Sequence, residues 1–496
     1  MTRARTCALF LLSSAPWLTS AGCAAAGDEA PPRPPNLVLI LADDLGYGEL
    51  GCYGQEKIRT PRIDALAAEG MRFTNHYSGS PVCAPSRCVL LTGLHTGHAF
   101  IRDNDEMPER GDVWHDPELE GQRPIPDETV TLAELLRARG YATAAIGKWG
   151  LGWVGSSGDP NAQGFDFFLG HVCQRVAHNH YPTHLWRNGE KLPLHNPPFS
   201  AHQKLPADAD PNDPTSYVAY RGCDYAPDLM IEAALRFVRD HADRPFFLYY
   251  PTPVPHVALQ VPADSLAEYE GAFPETPYRG DRGYLPHRTP RAAYAAMITR
   301  LDRDVGRLLD LLDELGLRDD TLVVFTSDNG PTWVGGVDKD FFASQGGLRG
   351  RKAQLYEGGI RVPAIVRWPG RVPAGTTSAL LSGFQDWLPT FCAAAGAPIP
   401  PGLDGVSLLP ELTGRPEEQE RHEYLYWEYA KRMQAARFGR YKAFRPKPSA
   451  PIQIYDLAED PAESRDLAGE RPELVERAAA IFAEAHTDSE FFRLRG

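Results

Sequence analysis

Long apolar runs are scarce in this chain. After the first twenty residues no stretch approaches the roughly 20 apolar residues that a membrane-spanning helix needs, which excludes a membrane span. Positive charge is in deficit, with 51 Lys and Arg against 65 Asp and Glu and a formal net charge of -14. That balance argues against general attraction to nucleic acid, but it leaves room for a local cationic pocket that takes an anionic ligand. Cysteine is sparse: beyond the N-terminal segment, Cys52, Cys83, Cys88, Cys173, Cys223 and Cys392 are scattered, without the pairing of a zinc site or a dense disulfide framework. No internal repeat at a solenoid period is present.

What is there is enough for a large core. At 496 residues, 43% of them apolar, the chain can form two or more domains. Residues 1–26 combine two arginines, a short apolar run broken by Ser13, Ser14 and Pro16, and small residues near a cleavage point, which reads as an export signal. The expected location is the periplasm or the exterior. Cleavage after Gly22 would expose Cys23 for a lipid anchor, although Ser20 stands where lipoprotein signals carry a larger aliphatic residue.

After a proline-rich leader at Pro31 to Pro35, "NLVLILADD" is the kind of aliphatic run found in a strand buried on both faces. Helix signals lie between such runs: Thr60 as a cap with Pro61 in the first turn, a capping box at Thr131 and Glu134, and an amphipathic stretch from Arg291 to Leu315. Alternation of buried strands and amphipathic helices predicts an α/β fold with a large, mainly parallel sheet sandwiched by helices, over residues 36–397. Residues 398–496, with short strand-like pieces and a helix from Pro472 to Ala485, predict a smaller α+β domain. The polar stretch from Asn188 to Asp224 reads as a surface insertion near the substrate entrance.

In an open parallel sheet, functional groups collect beyond the carboxyl ends of the strands. Four apolar runs here end in Asp43 and Asp44, in Lys148, in His256, and in Asp328 and Asn329. Singly, each has a plain reading as a cap, a turn or a solvated loop residue. Together, three carboxylates and an amide oxygen supply a hard-oxygen site suited to Ca²⁺, with Mg²⁺ second.

Against that background, Cys83-Ala84-Pro85-Ser86-Arg87 resembles the C-x-P-S-R signature of the type I sulfatases, the formylglycine-dependent, arylsulfatase-like branch of the alkaline phosphatase superfamily. The resemblance extends through Asp43-Asp44, "GKWGLG", "SDNG", "GRKAQLYEGG" and "YDLAEDPAESRDLA", from Asn36 to about Asp466. It implies that a maturation enzyme converts Cys83 to formylglycine, whose hydrate attacks the sulfur of a sulfate ester with one hydroxyl and expels sulfate through the other. It further implies that Asp43, Asp44, residue 83, Asp328 and Asn329 hold a divalent metal. By the same resemblance Arg87 holds the hydrate, Lys148 and Lys352 pair with sulfate oxygens, and His256 helps protonate the leaving oxygen. The substrate implied is a sulfated carbohydrate, with aryl sulfates as convenient surrogates.

One position departs from the pattern. Gly150 stands where relatives commonly carry a histidine, so the expected base for sulfate release is absent, and the segment Ala177 to Tyr181 offers His178, preferred over His180, in its place. Two other readings remain open at this stage: a phosphonate or phosphodiester hydrolase of the same superfamily, and a non-catalytic glycan-binding protein in which Cys83 stays a thiol.

Overall fold

The run Leu37–Ala42 has no polar side chain to place in water, and it forms the core of a strand, β1 (Asn36–Ala42), buried along its whole length. The structure, a computed structural model, describes residues 33–105, 107 and 120–495. The export-signal reading of residues 1–26 and the lipid-anchor reading of Cys23 fall outside them. Among the described residues no helix is long and apolar enough to cross a membrane.

In chain order the other strands are β2 (Met71–Phe73), β3 (His76–Tyr77), β4 (Ala142–Lys148), β5 (Phe167–His171), β6 (His184–Arg187), β7 (Glu190–Pro193), β8 (Phe246–Pro251), β9 (Thr321–Ser327), β10 (Ala364–Arg367), β11 (Thr376–Ser378), β12 (Ser382–Gly383), β13 (Leu425–Tyr429), β14 (Met433–Phe438), β15 (Tyr441–Arg445) and β16 (Gln453–Asp456). Ten of them make one sheet in the order β11-β2-β10-β9-β1-β8-β4-β5-β6-β7. Its centre, β9-β1-β8-β4-β5, is parallel throughout, while β10 and the β6-β7 hairpin run antiparallel near the edges. The expected α/β sandwich is therefore present.

Because side chains alternate along a strand, β1 feeds two cores at once. Val38, Ile40 and Ala42 pack with the helices Ala226–Asp240 and Pro290–Glu314, whereas Leu37, Leu39 and Leu41 pack with Cys83–Thr92, Leu132–Ala138 and Trp387–Ala395. The capping box of Thr131 and Glu134 is formed. Thr60 precedes its helix as expected but does not cap it: its hydroxyl is drawn instead to Asp64 Oδ1, 3.2 Å away, and accepts the Gly51 N–H. Pro61 fills the first turn, where a missing N–H is harmless.

A second, antiparallel sheet, β13-β14-β15-β16, follows near the C-terminus with the helix Pro472–Glu484 on one face. Its other face, through Leu425, Trp427, Ala435 and Phe444, packs on Tyr77, Leu355 and Ile360. The core of the large layer runs on through Leu408 and Leu412 before this sheet begins.

Candidate active site

Parallel pairing of β1 with β9 sets Ala42 opposite Ser327, so the residues that follow each strand emerge side by side. The Asp44 N–H donates to Asp328 Oδ1 at 3.1 Å, and Asn329 Nδ2 donates to Asp44 Oδ1 at 2.8 Å. Asp44 adopts φ 67°, a left-handed conformation that Asp tolerates better than most residues. Asp43, Asp44, Asp328 and Asn329 are all fully buried.

Cys83 opens the helix Cys83–Thr92, and its Sγ lies 3.4 Å from Asp43 Oδ1, 3.4 Å from Lys148 Nζ and 3.6 Å from Lys352 Nζ. Lys148, the last residue of β4, donates to Asp43 Oδ2 at 2.6 Å. Lys352 reaches Asp44 at 2.6 and 2.9 Å. One turn along the helix from Cys83, Arg87 bonds Asp328 Oδ2 through Nη2 at 2.8 Å and Nε at 3.2 Å, approaches Asp43 at 3.4 Å, and also donates to the Lys148 carbonyl. Three carboxylates and three cations thus balance around one thiol.

His256 joins them, with Nε2 3.5 Å from Asp44 Oδ2 and Nδ1 held by the Val257 carbonyl. His178 stacks on it, centroids 4.6 Å apart and planes 9° apart, and pairs its Nδ1 with His202 Nε2 at 3.1 Å. His202 comes from the polar insertion, which puts that segment beside the site. His180 turns elsewhere: its Nε2 donates to the His256 carbonyl at 2.9 Å, and its buried Nδ1 has no partner among the described residues.

These surroundings set the protonation states. Burial would raise the Asp43 carboxyl, but Lys148, then His256, Arg87 and Lys352, hold it well below the usual carboxylate range. Burial, with Asp43 next to it, pushes Asp328 up to about 6. The Cys83 thiol is pushed up to about 12, first by burial and then by Asp43, so it is a neutral thiol rather than a ready nucleophile. Burial and then Lys352 and Lys148 lower His256 well below its ordinary value, and burial and then His256 do the same to His178.

The oxygens gathered here, from Asp43, Asp44, Asp328 and Asn329, suit a hard divalent cation, whereas the thiol and imidazole beside them do not. Asp43, Asp44, Cys83 and His256 each place a ligand atom within 4.8 Å of the others. Asn329 adds an unsatisfied buried acceptor, Oδ1. All eleven residues singled out in the sequence, Asp43, Asp44, Cys83, Arg87, Lys148, His178, His180, His256, Asp328, Asn329 and Lys352, fall in this cluster or directly against it.

Sequence reading missed three neighbours. Tyr284, whose ring packs against His178 and His256, lies in a loop with no motif of its own. His202 was hidden in the polar insertion. Gln174 fills the space left at Gly150: a Cβ built there would sit 1.7 Å from its Nε2. Both amide atoms of Gln174 are buried and have no hydrogen-bond partner among the described residues. A bulky amide three residues after β5 was the clue the sequence offered.

A family model described as Sulfatase matches residues 35–397. This chain is a member of the sulfatase family. A second model, described as N-sulphoglucosamine sulphohydrolase, C-terminal, matches residues 351–481. Human arylsulfatase A is 36% identical over 489 residues, covering 90% of this sulfatase and 86% of the relative. An N-acetylgalactosamine-6-O-sulfatase of Bacteroides thetaiotaomicron is 30% identical, covering 91% and 93%. Among solved structures, Ps i-CgsB in complex with k-i-k-neocarrahexaose superposes with a TM-score of 0.73 at 25% identity, covering 93% of this sulfatase and 95% of that chain.

The C-terminal sheet of the sulfatase is tied to the loop that carries Lys352. Lys442 of β15, fully buried, bridges Glu357 at 3.0 Å and Glu463 at 3.1 Å, and Glu357 also accepts the Tyr77 hydroxyl at 2.8 Å. The Glu357 N–H donates to Glu463 at 2.7 Å. Removing Lys442 would leave two buried carboxylates facing each other, so this network fixes the register of the Lys352 loop.

Proposed function

We propose that this sulfatase hydrolyses sulfate monoesters of a carbohydrate, with residue 83 as formylglycine and a calcium ion at the cluster beside it, in an exported protein. The observation that carries the reading is the placement of Cys83: at the head of a buried helix, between Lys148 and Lys352, and against Asp43. A neutral thiol has little use there, whereas a hydrated aldehyde would supply an oxygen nucleophile and its own route of release. A bound cation would add electrostatic stabilisation to the same oxygens, and Asp43, Asp44, Asp328 and Asn329 would hold it. Their hard-oxygen character and buried geometry favour calcium; two relatives are named arylsulfatase A and N-acetylgalactosamine-6-O-sulfatase, and a structural neighbour was solved in complex with k-i-k-neocarrahexaose.

In this reading Lys148 and Lys352 present ammonium groups to the sulfate oxygens as charge builds on them. Arg87 orients residue 83 and keeps Asp328 ionised. His256, its Nδ1 anchored on a backbone carbonyl, gains affinity for a proton when an anion arrives and passes that proton to the leaving oxygen from Nε2. His178, stacked behind it, takes the proton of the release step in place of a residue at 150. Residues 36–397 carry the chemistry, and residues 398–496 brace the Lys352 loop.

The test pairs peptide mass spectrometry of residue 83, after expression with a formylglycine-generating enzyme, with ion chromatography of the released anion from sulfated glycans and from phosphonate and phosphodiester substrates. Aldehyde at residue 83 together with sulfate release is expected. Phosphate or phosphonate release in its place would move the protein to the neighbouring hydrolases. Unmodified Cys83 in protein that binds glycans without turnover would make it a binding protein.

A further inference from the structure

Arg351, the residue before Lys352, helps to wall a cavity of about 540 Å³, within the range of small-molecule sites, together with the loops around Tyr278 to Arg282 and Trp333 to Asp340. The cavity meets the chemistry along the chain in three places. Arg351 immediately precedes Lys352, Arg282 lies two residues before Tyr284, and Trp333 lies four after Asn329. The Lys352 N–H is fixed on the Pro331 carbonyl at 3.1 Å, so these walls and the sulfate-facing lysine move together.

The charges of this wall are unequally matched. Asp338 is taken by Arg291 at 2.6 Å, Asp340 by Lys339, and Glu275 by the backbone N–H groups of Ala292 and Arg291 at 2.7 and 3.1 Å. Among the described residues, Arg282 and Arg351 make no ion pair with a carboxylate. The Arg351 guanidinium instead lies 3.4 Å from the centroid of the Trp333 ring, half-buried, with its nearest oxygen partner the Lys352 carbonyl at 3.4 Å. Burial lowers its pKa, as expected of a cation that has lost water without gaining an anion. A guanidinium held over an indole face is preorganised for bidentate binding of an oxyanion.

We propose that this cavity is a second subsite, in which Arg351 and Arg282 bind an oxyanion on the sugar next to the one being desulfated, so that the preferred substrate is a polyanionic saccharide. The inference rests on the sulfatase reading and names its substrate class. A second sulfate and a uronate carboxylate share the required chemistry.

The experiment uses full-length protein in two forms. Matured enzyme, wild type and the double variant R282Q/R351Q, is assayed on 4-nitrophenyl sulfate, a monoanion too small to fill the cavity. Cys83→Ala protein, with and without the same two substitutions, is titrated calorimetrically with heparin- and chondroitin-derived disaccharides carrying one sulfate beside a neutral, carboxyl-reduced sugar, one sulfate beside a uronate, or two sulfates. The aryl sulfate kcat/KM is expected to stay within about twofold, while affinity for the doubly anionic disaccharides falls about tenfold or more and that for the singly charged one does not change. R351K, which keeps the charge but loses the fork, should recover only part of the affinity. Which doubly charged probe binds tighter in the wild type identifies the oxyanion. Equal loss on all probes, or a wild type that binds singly and doubly charged disaccharides alike, overturns the subsite. Absence of aryl sulfate hydrolysis by matured wild type would instead overturn the sulfatase reading, and the calorimetric comparison would still decide the subsite.

Discussion

Replacing Lys352 with Met tests the electrostatic core of the proposed mechanism. Its ammonium touches both oxygens of Asp44 at 2.6 and 2.9 Å and lies 3.6 Å from the Cys83 sulfur, so it has two roles that can be separated. As a donor to charge that develops in the transition state it is comparable to one oxyanion-hole contact, about 3 to 4 kcal/mol, or a hundred- to thousandfold in kcat. As the partner of a buried carboxylate its loss costs stability. A fully buried pair broken on one side costs roughly 3 to 5 kcal/mol, and the figure here should fall towards the lower end because the Lys352 side chain retains 14% exposure. Methionine keeps the length of the stem, which removes a packing explanation. The assay is kcat and KM for 4-nitrophenyl sulfate, read beside urea unfolding and metal content. The expected result is a kcat loss of two to three orders of magnitude, at temperatures where the variant is still folded and metal-loaded. A kcat/KM within threefold of wild type would refute the role of Lys352, and a loss that merely tracks the unfolded or metal-free fraction would reduce it to a structural one.

Exhaustive chelation should abolish turnover and added calcium should restore it, while Asp328→Ala should lower calcium affinity in titration calorimetry and leave no measurable turnover. His178→Ala should release about one equivalent of alcohol in a burst and then stall, with added mass on residue 83; normal turnover in this variant together with a stall in His180→Ala would reassign the base. Glu49, buried and hydrogen-bonded by Tyr294 and the Gly46 N–H, is pushed up to about 7, first by burial. A carboxyl whose folded pKa is raised contributes its stability below the unfolded value of 4.5 and loses it as pH rises towards 7, by up to about 3 kcal/mol in total. Glu49→Gln should therefore flatten the stability profile between those pH values, which urea titrations across the range will show.

Much of this site was legible because it is written at strand ends. Asp43, Lys148, His256 and Asp328 each follow an apolar run, and parallel pairing, as between Ala42 and Ser327, leaves the chain no choice but to bring such ends together. The helix caps and the long helix were equally local: Pro290–Glu314 differs by one residue at each end from the periodicity. What stayed hidden depends on packing between segments with no shared pattern. Thr60 looked like a cap, yet its hydroxyl donates to Asp64 and accepts the N–H of Gly51, outside its own helix. Tyr284, His202 and Gln174 come from loops whose composition has no period, so only tertiary contact shows what they touch. Lys442 was invisible for the same reason, as a charge in a short strand that answers two glutamates distant in the chain.

The crowding of position 150 by Gln174 decides what it would cost to place a side chain there. A histidine placed at 150 would begin where the Gln174 amide now lies, and the φ of +89° there adds backbone strain for any residue but glycine. That amide is the far end of a flexible side chain with no hydrogen-bond partner among the described residues, so it can swing aside, whereas the backbone strain stays. The backbone conformation at 150, more than the bulk at 174, therefore sets the cost of placing a side chain there. Gly150→His alone would carry most of that cost, and adding Gln174→Ser would relieve only the smaller part of it.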